Sequence, residues 1–252
     1  MAIAEDLTLD FAAKQWLTQL PLGGGNHRAD FPVSIIRKNA HSFAAGTALT
    51  FEGDDVATVL CVLKGWLSLS KSLSDGQTQI IDFALSGDIV SPVSADGHTS
   101  VLQVEAATDA VVAILTEAEW ARLKREWPAI ATVSAQLSAA AQARISERML
   151  RLGRGSAPNR IAYSLLELCV RLRSIGQSTN QTFHLPLTQE QLGEFSGLSS
   201  VHVCRTLRRM VRNEVIVMED HMDIHINDLD ALAEIAGIDF ERLATEITPT
   251  AA

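Results

Sequence analysis

Between residues 187 and 210 the chain reads LTQEQLGEFSGLSSVHVCRTLRRM, with polar groups spaced to meet phosphates and base edges. Thr188 stands before an apolar-periodic run with Gln191 three residues on, the pattern of a capping box that opens a helix. Leu192 and Phe195 face inward, and Gly197 sits where a tight turn between two helices needs a residue tolerant of positive φ. Ser199 then caps a second helix, whose inward positions are Val203, Leu207 and Met210. That leaves Ser200, Val201, His202, Arg205, Arg208, Arg209 and Arg212 outside, with no acid before Glu214. Such a helix suits the major groove of a duplex, and the alternative is a merely solvated basic face. Arg205 can pair bidentately with a guanine, worth roughly 1–3 kcal/mol of discrimination. Val201 can touch a thymine methyl but cannot accept a hydrogen bond from cytosine, and His202 can donate to a base or a phosphate. Thr188, Ser199, Ser200, Val201, His202, Arg205, Arg208 and Arg209 are the candidate DNA-binding residues.

The elements around this segment follow from periodicity. Residues 215–217 and 222–226 alternate as two strands around an acidic tip, Glu219-Asp220, which would repel phosphates and predicts a weak or absent wing contact. Upstream, residues 159–172 form a helix, and residues 153–158 (GRGSAP) read as a hinge. From 129 to 152 the positions Ile130, Val133, Leu137, Ala141, Ile145 and Met149 step by three or four among small residues. This stripe predicts a helix that pairs with a second copy, the alternative being a helix packed on its own domain. Glycines at 46, 53, 65, 76, 87 and 97 punctuate short alternating runs, which marks an antiparallel sandwich or barrel. An N-terminal helix over 5–20 ends at Pro21 and the triple glycine 23–25, a flexible connector. The fold class is therefore α+β, with boundaries at 1–30, 31–128, 129–152, 153–227 and an acidic C-terminal helix over 228–252.

Composition bounds what such a molecule does. Hydrophobic residues make up 47% of 252, enough for a buried core. The net charge of -9 hides a segregation: residues 1–150 carry -6, residues 151–215 carry +5 and residues 216–252 carry -8. Phosphate attraction is screened within about 10 Å at 0.1 M salt, so the local basic block outweighs the acidic average. The longest uncharged run, residues 127–143, is too polar and short to span a bilayer, and the acidic N-terminus is not a secretory signal. Three scattered cysteines, Cys61, Cys169 and Cys204, argue against a disulfide framework and fit a reduced cytoplasm. No serine-hydrolase, zinc-protease or phosphate-loop pattern occurs, so no enzymatic activity is expected.

From about 43 to 226 the chain resembles the Crp/Fnr family of bacterial transcription regulators. The resemblance rests on FEGDD, VLKGWLSLSKSLSDGQTQIIDFALSGDIV and EAATDAVVAIL in the first half, and on LTQEQLGEFSGLSSVHVCRTLRRM in the second. It implies an N-terminal antiparallel β-roll (jelly-roll type), a long dimerisation helix and a C-terminal winged helix-turn-helix. It further implies a homodimer on double-stranded DNA, contact with RNA polymerase, and control by a small-molecule effector. A rival reading is a β-roll sensor that regulates a protein partner through the winged helix.

Departures from the family pattern bear on the effector. Pro92 stands where cyclic-AMP-binding members carry the ribose Glu, and Ser100 and Val101 stand in place of the phosphate-binding Arg and its neighbour. With Ser91 and His98, these residues form the candidate effector pocket, and lacking an Arg they argue against cyclic AMP bound in the family manner. The N-terminal cysteine group of iron–sulfur members is missing, which argues against a cluster. His27, His41 or His98 could ligate a haem, although lone histidines are more often surface residues. His221 and His225 lie on a strand, too far apart for easy joint metal ligation. Cys204, beside Arg205, is either a redox-sensitive thiol or a passive packing residue.

Overall fold

The computed structural model describes residues 2–20, 30–55, 58–95, 97–219 and 222–249. The connector at 21–29, and with it His27, lies outside these residues, as do Asp220 and His221 of the wing tip. The chain forms two compact units that divide near Ser138.

In the first unit, two four-stranded antiparallel sheets are built from β1 (Ala40–Phe43), β2 (Ala48–Thr50), β3 (Thr58–Lys64), β4 (Trp66–Ser72), β5 (Thr78–Leu85), β6 (Ile89–Val90), β7 (Gln103–Ala106) and β8 (Ala110–Thr116). One sheet runs β1-β8-β3-β6 and the other β2-β7-β4-β5. The period of two explains how one strand serves two cores. Leu60 and Val62 of β3 join Leu67, Leu69, Val104 and Val112 in a cluster drawn from both sheets. Val59, Cys61 and Leu63 point the other way, into a second cluster with Val111, Ala113 and Leu115. Both faces of this sheet are thus covered, which is why VLCVL and AVVAIL read as unbroken apolar runs. The six punctuating glycines all take positive φ, between 79° and 102°. Gly65 is further constrained, since a Cβ there would lie 2.3 Å from the Asp109 carbonyl.

Helices cover the outer face: α1 (Ala2–Gln19), α2 (Asp30–Lys38), α3 (Glu117–Glu126) and the start of α4 (Ala129–Arg154). The α2 helix is an element that sequence periodicity did not reveal; it buries Ile35 and Ile36, and the strands begin only at Ala40. Ile130 and Val133 of α4 are 0% and 2% exposed within this same helical cluster, and Leu137 packs partly against it. The expectation that Ile130 and Val133 form a dimer seam is therefore corrected. Their side chains are already covered by their own protomer.

In the second unit, α5 (Ala157–Ser174) is surrounded by α6 (Gln189–Ser196), α7 (Ser200–Arg212), α8 (Leu229–Ala236) and α9 (Phe240–Ile247). A sheet of order β11-β12-β10-β9 joins them, with β9 (Ser178–Thr179), β10 (Thr182–His184), β11 (Ile216–Glu219) and β12 (Asp223–Ile226). The β9–β10 hairpin follows α5, and Asn180 and Gln181 turn it at φ 48° and 64°. The predicted hinge is also shorter than expected. The α4 helix runs through Gly153 to Arg154 and Ser156 caps α5, leaving two residues between the helices. The acidic C-terminal helix is in fact two, because Gly237 at φ 64° stops α8 and Asp239 caps α9. At that stop the Ala236 carbonyl accepts from Asn159 Nδ2 at 2.8 Å and from Arg151 Nε and Nη2 at 3.3 and 3.2 Å. A helix C-terminus is a favourable place for a guanidinium, because its last carbonyls are unpaired and carry partial negative charge.

Candidate nucleic-acid interface

Thr188 opens α6 with a complete capping box: its hydroxyl accepts from the Gln191 N–H at 3.1 Å, and Gln191 Oε1 accepts from the Thr188 N–H at 2.9 Å. Gly197 closes the helix at φ 65°, in the left-handed region. Gly193 lets the turn cross closely, since a Cβ there would sit 2.4 Å from the Leu198 carbonyl. Ser199 then caps α7, accepting from the His202 N–H and pairing with His202 Nδ1 at 2.9 Å, so Nε2 is the ring nitrogen left for a ligand.

From α7 the protein buries Val203, Thr206, Leu207 and Met210. Ser200, Val201, His202, Arg205, Arg208, Arg209 and Arg212 are all exposed. Among the described residues no carboxylate pairs with Arg205, Arg208, Arg209 or Arg212. Gln189 of α6 joins Ser200, Val201, Cys204 and Arg205 along an open cleft on this face. Sequence reading missed Gln189, although its place as the first residue after a helix cap was the available signal. Four uncompensated guanidiniums on one capped helix make a strongly cationic surface with donors suited to phosphate and guanine.

Residues 40–126 match the cyclic nucleotide-binding domain, and residues 159–235 match the Crp-like helix-turn-helix domain. The chain belongs to the Crp/Fnr family. It is a DNA-binding transcription regulator of that type. Over 206 residues it is 28% identical to the transcriptional activator protein FnrL of Cereibacter sphaeroides, spanning 80% of this chain and 82% of that one. It is 26% identical over 209 residues to the nitrogen fixation regulation protein FixK of Rhizobium meliloti, spanning 83% and 92%. Its fold is similar to that of FixK2 from Bradyrhizobium japonicum, with a TM-score of 0.69 over 78% of this chain and 96% of that one, at 23% identity.

Within this Crp/Fnr framework the candidate effector residues differ in their surroundings. Ser100 is 2% exposed, and its hydroxyl donates to the Leu102 carbonyl at 2.7 Å and to the Pro92 carbonyl at 3.3 Å. The Pro92 carbonyl also accepts from the Val101 N–H at 2.7 Å, so these three residues are tied to one another. His98 is exposed. Ser91 lines a crevice of about 230 Å³, together with Thr58, Ile89, Trp120, Lys124 and Ser134. His41 is exposed and packs edge-on to Phe43, while burial pushes the Cys61 thiol pKa well up. Among the described residues no group of three or more His, Cys, Asp or Glu is placed to hold a metal ion. No helix among them is long and apolar enough to cross a membrane.

A second feature escaped sequence reading altogether. Glu167 of α5 is fully buried, and its Oε1 receives Arg148 Nη1 at 2.5 Å, with Arg171 at 3.7 Å and Arg144 at 3.9 Å. Arg148 also stacks 4.5 Å from the Phe195 ring of α6. Here α4 turns the buried arginines Arg144, Arg148 and Arg151, with Ala140, toward its own unit; Ala141 and Ile145 are half-buried, and Met149 is 66% exposed. Arg160 makes another tie, donating to the carbonyls of Leu152 at 2.8 Å, Gly155 at 3.1 Å and Gly197 at 3.1 Å. One guanidinium thus touches the end of α4, the short hinge and the turn before α7.

Proposed function

We propose that the protein acts in the cytoplasm as a homodimeric transcription regulator that lays one α7 helix from each protomer into successive major grooves. The observation that carries this reading is the capped, outward-facing α7 with four uncompensated guanidiniums. Arg205 reads a guanine, while Arg208 and Arg209 hold phosphates. Thr188 uses its hydroxyl oxygen as a cap and keeps its O–H for phosphate, while the Ser199 hydroxyl caps α7 and holds the His202 ring. Dimerisation rests on the later part of α4, where Ala141 and Ile145 are half-buried, Met149 is exposed and the neighbouring Leu150 is 57% exposed. To read two half-sites the paired helices must stand about 34 Å apart. An effector held at the β-roll biases that spacing through α4, and RNA polymerase contact makes the outcome activation, as the names of FnrL and its relatives suggest.

Salt dependence tests the reading. Arg208 and Arg209 of both protomers give four phosphate contacts and a log–log slope of about −3.6, so affinity for duplex DNA falls about 150-fold between 50 and 200 mM salt. Fluorescence anisotropy against salt measures this directly. A flat profile would mean that α7 is a protein-contact surface instead.

A further inference from the structure

Val201 is 62% exposed in the first turn of α7, and the helix has no structural use for it there. The core side of α7 is complete in Val203, Thr206, Leu207 and Met210. A β-branched residue at an exposed helical position is also a poorer helix former than Ala, Lys or Glu. An apolar group set among arginines on a ligand-facing surface needs an apolar partner in the ligand. On the edges that base pairs present in the major groove, the apolar group is the C5 methyl of thymine.

Val201 and Arg205 are four residues apart on one face and line the same cleft. Four residues of α-helix rise about 6 Å, which matches one to two base-pair steps of about 3.4 Å each. Between Ser200 and Arg212 the helix carries no carboxylate and no side-chain amide. The helix therefore offers no carboxylate to cytosine N4 and no amide of its own to adenine, Gln189 of α6 being the one amide along the cleft among the residues that line it.

We propose that Val201 is a specificity-determining residue that reads a thymine methyl one or two base pairs from the guanine read by Arg205. This rests on the placement of α7 in the major groove. Every half-site then pairs a guanine with a nearby thymine, on either strand.

The test begins with selection of bound duplexes from a randomised pool by the full-length protein. Each thymine of the selected operator is then replaced by deoxyuridine, which removes the methyl and keeps the hydrogen-bonding edge. We expect one such replacement per half-site to weaken binding about four-fold, the equivalent of one methyl at about 0.8 kcal/mol. Val201→Ala should lose a similar factor and become indifferent to that replacement, while Val201→Glu should shift selection at this pair from thymine to cytosine. Because Val201 is exposed, both variants should unfold at the wild-type temperature. Deoxyuridine replacements that leave wild-type affinity unchanged, or that weaken Val201→Ala as much as wild type, overturn the proposal while sequence-specific binding stands. A pool that yields no enriched sequence overturns the placement of α7 as well.

Discussion

Two kinds of arginine share α7, and they should fail in different ways. Arg205 faces the same cleft as Val201, where base edges would lie. Arg205→Ala should cost roughly 1–3 kcal/mol on the operator and flatten discrimination at one guanine. Arg209→Ala should weaken every duplex alike and lower the salt slope by about one unit per half-site. Competition binding with single-base operator variants separates the two, and equal losses on all sequences for Arg205→Ala would remove its assigned role. The seven positions read from sequence as outward-facing are all exposed, because a helix with one apolar stripe leaves no other solution. The effector residues were less legible. Ser100 looks available in sequence, and only the folded chain reveals that the Leu102 and Pro92 carbonyls use its hydroxyl.

At the scale of elements, legibility follows how strongly one period dominates. The β-strands and α5, α6 and α7 carry clean patterns with caps or glycine turns and were readable. The α2 helix is nine residues long, and the β9–β10 hairpin turns on Asn-Gln rather than on glycine, so neither announces itself. The α4 helix misleads for a different reason. Its three-four stripe is real, but Ile130 and Val133 meet their own protomer's core, and periodicity does not say whose surface a stripe meets. Further along, the inward positions are Arg144, Arg148 and Arg151, which hydrophobic periodicity does not score. The Glu167 hub joins α4 to α5, and Arg148 extends it to Phe195 of α6. Removing its carboxylate leaves buried guanidiniums without their counter-charge, so Glu167→Ala should destabilise the second unit by about 3–5 kcal/mol. Thermal unfolding monitored by circular dichroism measures it, and a variant as stable as wild type would show the hub to be expendable.

For the whole molecule, the charge blocks and the exposed end of α4 make one consistent picture. The basic block from 151 to 215 includes α7 and sits between two acidic stretches, which keeps a net charge of -9 compatible with a DNA ligand. Met149 and Leu150 are large apolar side chains left in solvent by a single protomer. Replacing both by Glu should yield a monomer by light scattering, and should lower operator affinity far more than it lowers non-specific affinity. A dimer that persists would move the interface elsewhere on α4. The cap on α8 bears on where this protein can be divided. Similarity to the helix-turn-helix domain stops at 235, one residue short of the carbonyl shared by Arg151 and Asn159. Leu243 and Ile247, both buried, lie further still. A fragment trimmed to the shared domain, 159–235, would leave Asn159 without this acceptor, omit Arg151 altogether and strip α9 from α5. The unit of inheritance and the unit of cohesion differ here, the compact unit running from Ala139 to Pro249.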